Sequence, residues 1–106
     1  MSKKTATAKP SLADMQAHAC EASSLMKAMS NEQRLLILCL LFDNELSVSD
    51  LQARIELSQS ALSQHLAVLR EAGFVNTRRE AQTVFYSLPK GPIKKVMQTL
   101  HKIYCE

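Results

Sequence analysis

Apolar residues recur at three- and four-residue spacings along most of this 106-residue chain. Leu12, Met15, Ala19, Ala22, Leu25, Met26 and Met29 form one stripe and predict a helix over 12–29. Ser30, with Gln33 three residues later, reads as the N-cap of a second helix. That helix contains the run Leu35 to Phe42, with Cys39 inside it, which is apolar all round. It is therefore expected to be buried on every side and to end at Asp43-Asn44. Ser47 and Asp50 make a capping-box pattern that opens a short third helix, with Val48, Leu51 and Ile55 inward. Ser58 can cap a fourth helix, Gln59 to Ala72, with Gly73 at the left-handed position beyond it.

The period then changes. Phe74–Arg79 and Thr83–Leu88 are rich in β-branched and aromatic residues and predict two strands joined by Glu80-Ala81-Gln82. Pro89-Lys90-Gly91-Pro92 breaks the second strand, and Pro92 suits the first turn of a helix. Ile93, Val96, Met97, Leu100, Ile103 and Tyr104 are the stripe of that last helix. The order ααααββα is mainly α with a small β-hairpin. A short capped helix, a tight turn, a longer helix and a hairpin have the proportions of a winged helix-turn-helix. Residues 12–106 are expected to be one DNA-binding domain, and 1–11 a disordered basic tail.

Composition supports one ordinary globular domain: 46% of residues are hydrophobic and 22% charged. Two glycines and three prolines are too few for a many-turned all-β fold. The run Leu35 to Phe42 is far too short to span a bilayer, and no apolar stretch follows Lys3 and Lys4, so neither a membrane segment nor a signal peptide is expected. Three cysteines, an odd number at low density, fit a reducing, cytoplasmic setting. The net charge of +3 conceals a division. Lys3, Lys4 and Lys9 account for it, while residues 12–56 sum to −4 and residues 57–106 to +4. A basic C-terminal half suggests an anionic partner for that half, although scattered solvated charges would give the same sums.

The fourth helix is the candidate for reading bases. Leu62, Leu66 and Leu69 share one face, and Ser60, Ser63, Gln64, Ala67 and Glu71 lie on or near the other. Gln can pair bidentately with adenine, and Ser can reach base edges or phosphates. Gln59 and His65 flank this face within reach of phosphate. A polar helix face is more often simply solvated, but the short capped helix before it and the hairpin after it favour DNA. Arg78, Arg79, Gln82 and Thr83 lie at the hairpin tip, where a wing would meet phosphates or the minor groove. Adjacent strand residues point to opposite faces, so at most one of the two arginines faces DNA unless the strand twists near the tip. Edge-strand charges that deter aggregation are the competing explanation.

Lys27 to Leu38 (KAMSNEQRLLIL), Glu45 to Leu51 (ELSVSDL), and above all Leu57 to Leu66 with Leu69 to Val75 resemble ArsR/SmtB-family repressors. The resemblance covers residues 20–105. It implies a homodimer joined through the first and last helices, which binds double-stranded operator DNA and leaves it when an inducer arrives. Family metal sensors place cysteines where this chain has Ser47 and Ser49, and neutral hydroxyls are poor ligands for thiophilic metals. The other family metal site needs an Asp-x-His pair on the last helix, which offers only His101. No metal or cofactor is therefore expected. Cys39 and Cys105 instead match the HlyU/BigR/SqrR-like branch, whose resemblance implies a cysteine pair responding to reactive sulfur species or oxidants. A bond between these thiols, direct or through added sulfur, would tie the second helix to the dimer helix.

Other readings stay open at this point. Cys39 can be an inert small hydrophobe, and Cys105 a thiol at a frayed helix end. Cys20 is incidental. A zinc site from His18, Cys20, His101 and Cys105 is disfavoured, because positions two apart on a helix do not share a face. A metal-responsive repressor lacks its ligands, and a pure protein-interaction module would not need the polar face at Ser60, Ser63 and Gln64. An enzyme is not expected, since no Gly-rich loop or oxyanion site accompanies Cys105 and His101.

Overall fold

The first helix, α1, runs Leu12–Met29. Ser11 caps it, its hydroxyl oxygen accepting a hydrogen bond from the Asp14 N–H at 3.3 Å. Asp14 also places a negative charge in the first turn, where the helix dipole favours one. The computed structural model describes residues 11–105, so the expected basic tail lies outside the described residues except for Ser11.

Ser30 closes α1 instead of opening the next helix, which corrects the sequence expectation. Its hydroxyl donates to the Lys27 carbonyl at 2.9 Å and its backbone N–H to the same oxygen at 3.2 Å. The N-cap of the second helix is Asn31, in an extended conformation that aims its side-chain oxygen at the first free N–H groups. That oxygen accepts from both Gln33 and Arg34 at 3.0 Å. Arg34 reaches backwards, donating to the carbonyls of Ala28 at 2.7 Å and Lys27 at 3.3 Å. A cation on the last carbonyls of α1 stabilises its C-terminus and fixes the joint between the two helices.

The second helix, α2, spans Glu32–Leu40 and stops before Asp43-Asn44. Ile37, Leu38 and Leu41 are buried. Leu36 remains 50% exposed and Cys39 is exposed, so the all-apolar run is not covered on every side.

Leu46–Ser47 form a two-residue strand, β1, which the sequence pattern did not reveal. Ser47 then caps α3, Val48–Arg54, through a complete capping box. Its hydroxyl oxygen accepts from the Asp50 N–H, and its own N–H donates to the Asp50 carboxylate, both at 3.1 Å. The Ser47 backbone N–H, followed by the Ser47 side chain, holds the Asp50 carboxyl below its ordinary value of 3.8. The native state thus binds fewer protons than the unfolded chain at low pH. The contribution is complete above the unfolded value and is lost as pH falls through the lower folded value. Asp50→Asn should therefore flatten the fall of the urea midpoint at and below about pH 4. Parallel wild-type and variant curves across that range would contradict this.

Helix α4 runs Gln59–Glu71 from its N-cap Ser58, with Leu62, Leu66 and Leu69 buried. It closes in a Schellman motif. The Phe74 N–H donates to the Leu69 carbonyl at 2.8 Å and the Gly73 N–H to Arg70 at 3.0 Å. This requires a left-handed residue, and Gly73 has φ 81°.

Because the Phe74 N–H is used in that motif, the hairpin begins later than the pattern suggested. The strands are β2, Asn76–Glu80, and β3, Thr83–Ser87, not 74–79 and 83–88. Glu80 pairs with Thr83, leaving the two-residue turn Ala81-Gln82. Among the described non-glycine residues only Ala81 has positive φ, 57°. Positive φ at the first turn position alone fits a type II′ turn, which normally takes Gly there. β1 adds to the other side of β3, with Leu46 opposite Tyr86 and Ser47 opposite Phe85, giving the antiparallel order β1-β3-β2.

The last helix, α5, is Pro92–Cys105. Ile93 and Met97 enter the core, whereas Ile103 and Tyr104 are 61% and 79% exposed. Lys94 lies over the Phe42 ring at 5.4 Å, linking the start of α5 to the segment after α2. The buried residues form one cluster drawn from every helix and from β1. To it α1 contributes only Ala28 as a buried residue. Among the described residues, the exposed large hydrophobic side chains lie on α1, α2 and α5, apart from Val68 on α4. No helix among them is long and apolar enough to cross a membrane.

Candidate nucleic-acid interface and thiol pair

The outward face of α4 is built by its own caps and leucines. With Leu62, Leu66 and Leu69 inward, Gln59, Ser60, Ser63 and Gln64 are exposed near the N-terminal end, and His65 is half-buried at the flank. The Ser58 hydroxyl oxygen accepts from the Ala61 N–H at 3.2 Å and lies 3.3 Å from the Ser60 hydroxyl. The helix start is thus held by a side chain, while Ser63 and Gln64 project one turn further on. Ser63, Ala67, Arg70 and Glu71 share a shallow cleft of about 430 Å³ with Tyr86 of β3. The helix and the sheet therefore flank one surface. Short donors and acceptors at the N-terminal end of such a helix match the edges of bases in a major groove.

At the hairpin, Gln82 and Thr83 are exposed at the tip, and the two arginines differ sharply. Arg78 donates from Nε to both carboxylate oxygens of Glu45, at 3.0 and 3.2 Å, and from Nη2 to Glu45 at 2.7 Å. Its Nη1 donates to Glu80 at 2.7 Å. Its guanidinium carbon lies 4.8 Å from the centroid of Phe85, the residue opposite on β3. The side chain thus starts on one edge strand, crosses β3 and ends on Glu45, immediately before β1. The Arg78 hydrogen bonds hold the Glu45 carboxyl below its ordinary value, and the two carboxylates raise Arg78. The pair is solvent-exposed and therefore screened, but its forked carboxylate bond over a ring fixes the direction of the guanidinium. Strand alternation puts Arg79 on the opposite face, where it forms no salt bridge among the described residues. Glu45 and Phe85 were not picked out from the sequence. Glu45 lies 33 residues from Arg78, and no local periodicity joins them.

All three cysteines are free and exposed. Cys39 lies on the outer face of α2, three residues after Leu36, and Cys105 is the last residue of α5. Cys20 lines a cleft of about 690 Å³ between α1, the end of α4 and the start of α5, with His18 and Phe74. His18 pairs with Glu21 at 3.4 Å. No group of three or more His, Cys, Asp or Glu side chains among the described residues is arranged to hold a metal ion.

Residues 31–77 match the model of the bacterial regulatory protein, arsR family. The chain is 58% identical to the transcriptional activator HlyU of Vibrio cholerae, over 90% of this chain and 88% of that protein. It is 41% identical to the biofilm growth-associated repressor of Agrobacterium fabrum, over 86% of this chain and 78% of that protein. The solved structure of reduced HlyU from Vibrio cholerae superposes with a TM-score of 0.84 at 58% identity, covering 90% of this chain and all of that one. The HlyU likeness extends beyond the α2–β2 segment to both terminal helices. A capped α4 with a polar outer face, a wing beside it and these relatives lead to one assignment: the chain belongs to the ArsR family, as a winged-helix, DNA-binding transcriptional regulator and not an enzyme.

Proposed function

We propose that residues 12–106 form a homodimeric repressor whose hold on operator DNA is released when Cys39 and Cys105 react with reactive sulfur species or an oxidant. The exposed polar face of α4 carries the DNA part of this reading. Ser63 and Gln64 read bases, Ser60, Gln59 and His65 meet the backbone or neighbouring base edges, and Arg79, Gln82 and Thr83 reach phosphate from the wing. The dimer part is supported by the apolar surface left on α1, α2 and α5, where Leu12 is 74% and Met26 69% exposed. Of this 18-residue helix only Ala28 is buried by the rest of the chain, and helices owe most of their stability to packing.

Exposure of both thiols supports the switch, and a relative known in its reduced form is consistent with it. One thiolate attacks a sulfane sulfur of an inorganic polysulfide, which departs shortened by that sulfur. The second thiolate then displaces hydrosulfide from the protein persulfide, leaving a disulfide. The polysulfide is the oxidant and is reduced to sulfide. If the persulfide first takes a further sulfane sulfur from polysulfide, the same displacement of hydrosulfide leaves a longer bridge. Either product constrains α2 against α5 and biases the dimer between two states.

The DNA-binding reading is tested by fluorescence anisotropy on duplexes selected from random sequence by the reduced protein. A near-palindromic site is expected, with half-sites about 34–36 Å apart, bound by two chains with a steep salt dependence. Equal binding to random duplexes at moderate salt, or binding by a monomer, would overturn it.

A further inference from the structure

We propose that Arg78 is a positioning residue for DNA binding, pinning the wing to the body of the protein, and that phosphate binding on the wing belongs to Arg79. The proposal rests on the DNA-binding reading and deepens it. Arg78 is the residue that charge alone would place on DNA. Its surroundings say otherwise. One guanidinium faces two carboxylates, Glu45 and Glu80, both at 2.7 Å, so the cluster carries a net negative charge. Its Nε and Nη2 sides are taken by Glu45, its Nη1 by Glu80 and its face by Phe85. To bind phosphate it would have to give up a forked carboxylate bond and leave Glu45 and Glu80 facing the DNA without their cation.

The same interactions do mechanical work. The hairpin is tied to the body by two residue pairs between β1 and β3, none of which reaches the outer strand β2, and it ends in an Ala at positive φ. Arg78 joins the outer strand β2 to Glu45, which leads into β1 and, through Ser47, into the cap of α3. The wing is thereby fixed relative to the helix pair that carries α4.

The experiment uses the full chain and its selected operator duplex, with affinity measured across a salt series. Arg78→Ala and Arg78→Lys should both weaken operator binding about fivefold while leaving the slope of log affinity against log salt unchanged, because lysine keeps the charge but not the fork. Arg79→Ala should lower that slope by about 0.9 for each phosphate that Arg79 neutralises in the wild type. Glu45→Gln gives a test of sign. Removing a negative charge beside DNA strengthens binding on electrostatics alone, whereas loss of the clamp weakens it. Weaker binding by Glu45→Gln supports the clamp. Tighter binding, a reduced slope for Arg78→Ala, or wild-type affinity in Arg78→Lys overturns it. These residues are exposed, and equal thermal midpoints would show that the variants fold. A wild-type chain with no operator preference would overturn the DNA reading as well, an outcome distinct from failure of the clamp alone.

Discussion

Gln64→Ala is expected to lower operator affinity by about two orders of magnitude and to leave binding to random DNA nearly unchanged. A bidentate amide–adenine pair contributes ~1–3 kcal/mol of discrimination, and a homodimer would use it twice. Two copies at the lower end give about 30-fold, and mid-range values exceed 100-fold. The substitution is clean, because Gln64 is exposed and Ala is the best helix former. Anisotropy on the operator and on a scrambled duplex separates the outcomes. Parallel losses on both duplexes would mean that Gln64 touches the backbone. No loss on either would remove it from the interface.

The second large effect concerns the thiols. Polysulfide treatment of the wild type should weaken operator binding about 5–150-fold, the usual span of an allosteric coupling. Cys39→Ser and Cys105→Ser should each abolish that response, whereas Cys20→Ser should retain it. Intact-mass analysis should show loss of two hydrogens per chain, alone or together with the gain of whole sulfur atoms, in the wild type. A switch that survives Cys39→Ser, or DNA release with unmodified thiols, would remove the pair from the mechanism. The exposure of Cys39 matters for this experiment. A thiol sealed in the chain's own core would react only through unfolding, whereas Cys39 lies outside that core, on the outer face of α2.

Much of the architecture was legible because the devices involved are local. Ser58, Gly73, Pro92 and the Ser47/Asp50 box each act within a few residues, and the structure uses all four as the pattern implies. Errors arose where two local devices competed or where the partner lay far away. Ser30 and Asn31 are both good caps, and the choice depends on which one the end of α1 consumes. The strand boundary moved because the Schellman motif claims Phe74. β1 has two residues, too few for any periodicity, and exists because β3 presents an open edge to it.

Cys39 is the more instructive miss. An apolar run on all sides implies cover on all sides, but the inference is silent on which chain supplies the cover. Here Ile37, Leu38 and Leu41 face the chain's own core, and Leu36 and Cys39 do not. Composition alone could not separate these faces. The candidate DNA-reading positions on α4 could be placed on its outer face from helical spacing. The division of labour between Arg78 and Arg79 could not, because it depends on Glu45 reaching the sheet from a distant part of the chain.

The joint at Arg34 gives α1 the properties of a lever. The helix has 18 residues and so extends about 27 Å, with its near end held to α2 by the bonds from Arg34 to Ala28 and Lys27. A tilt of about 10° at that joint displaces the far end by about 5 Å. Cys39 is on the helix that anchors the lever, and Leu12 and Met15 are at its free end. A sub-ångström adjustment around α2 can therefore become a displacement of several ångströms on the surface where α1 would meet a second copy.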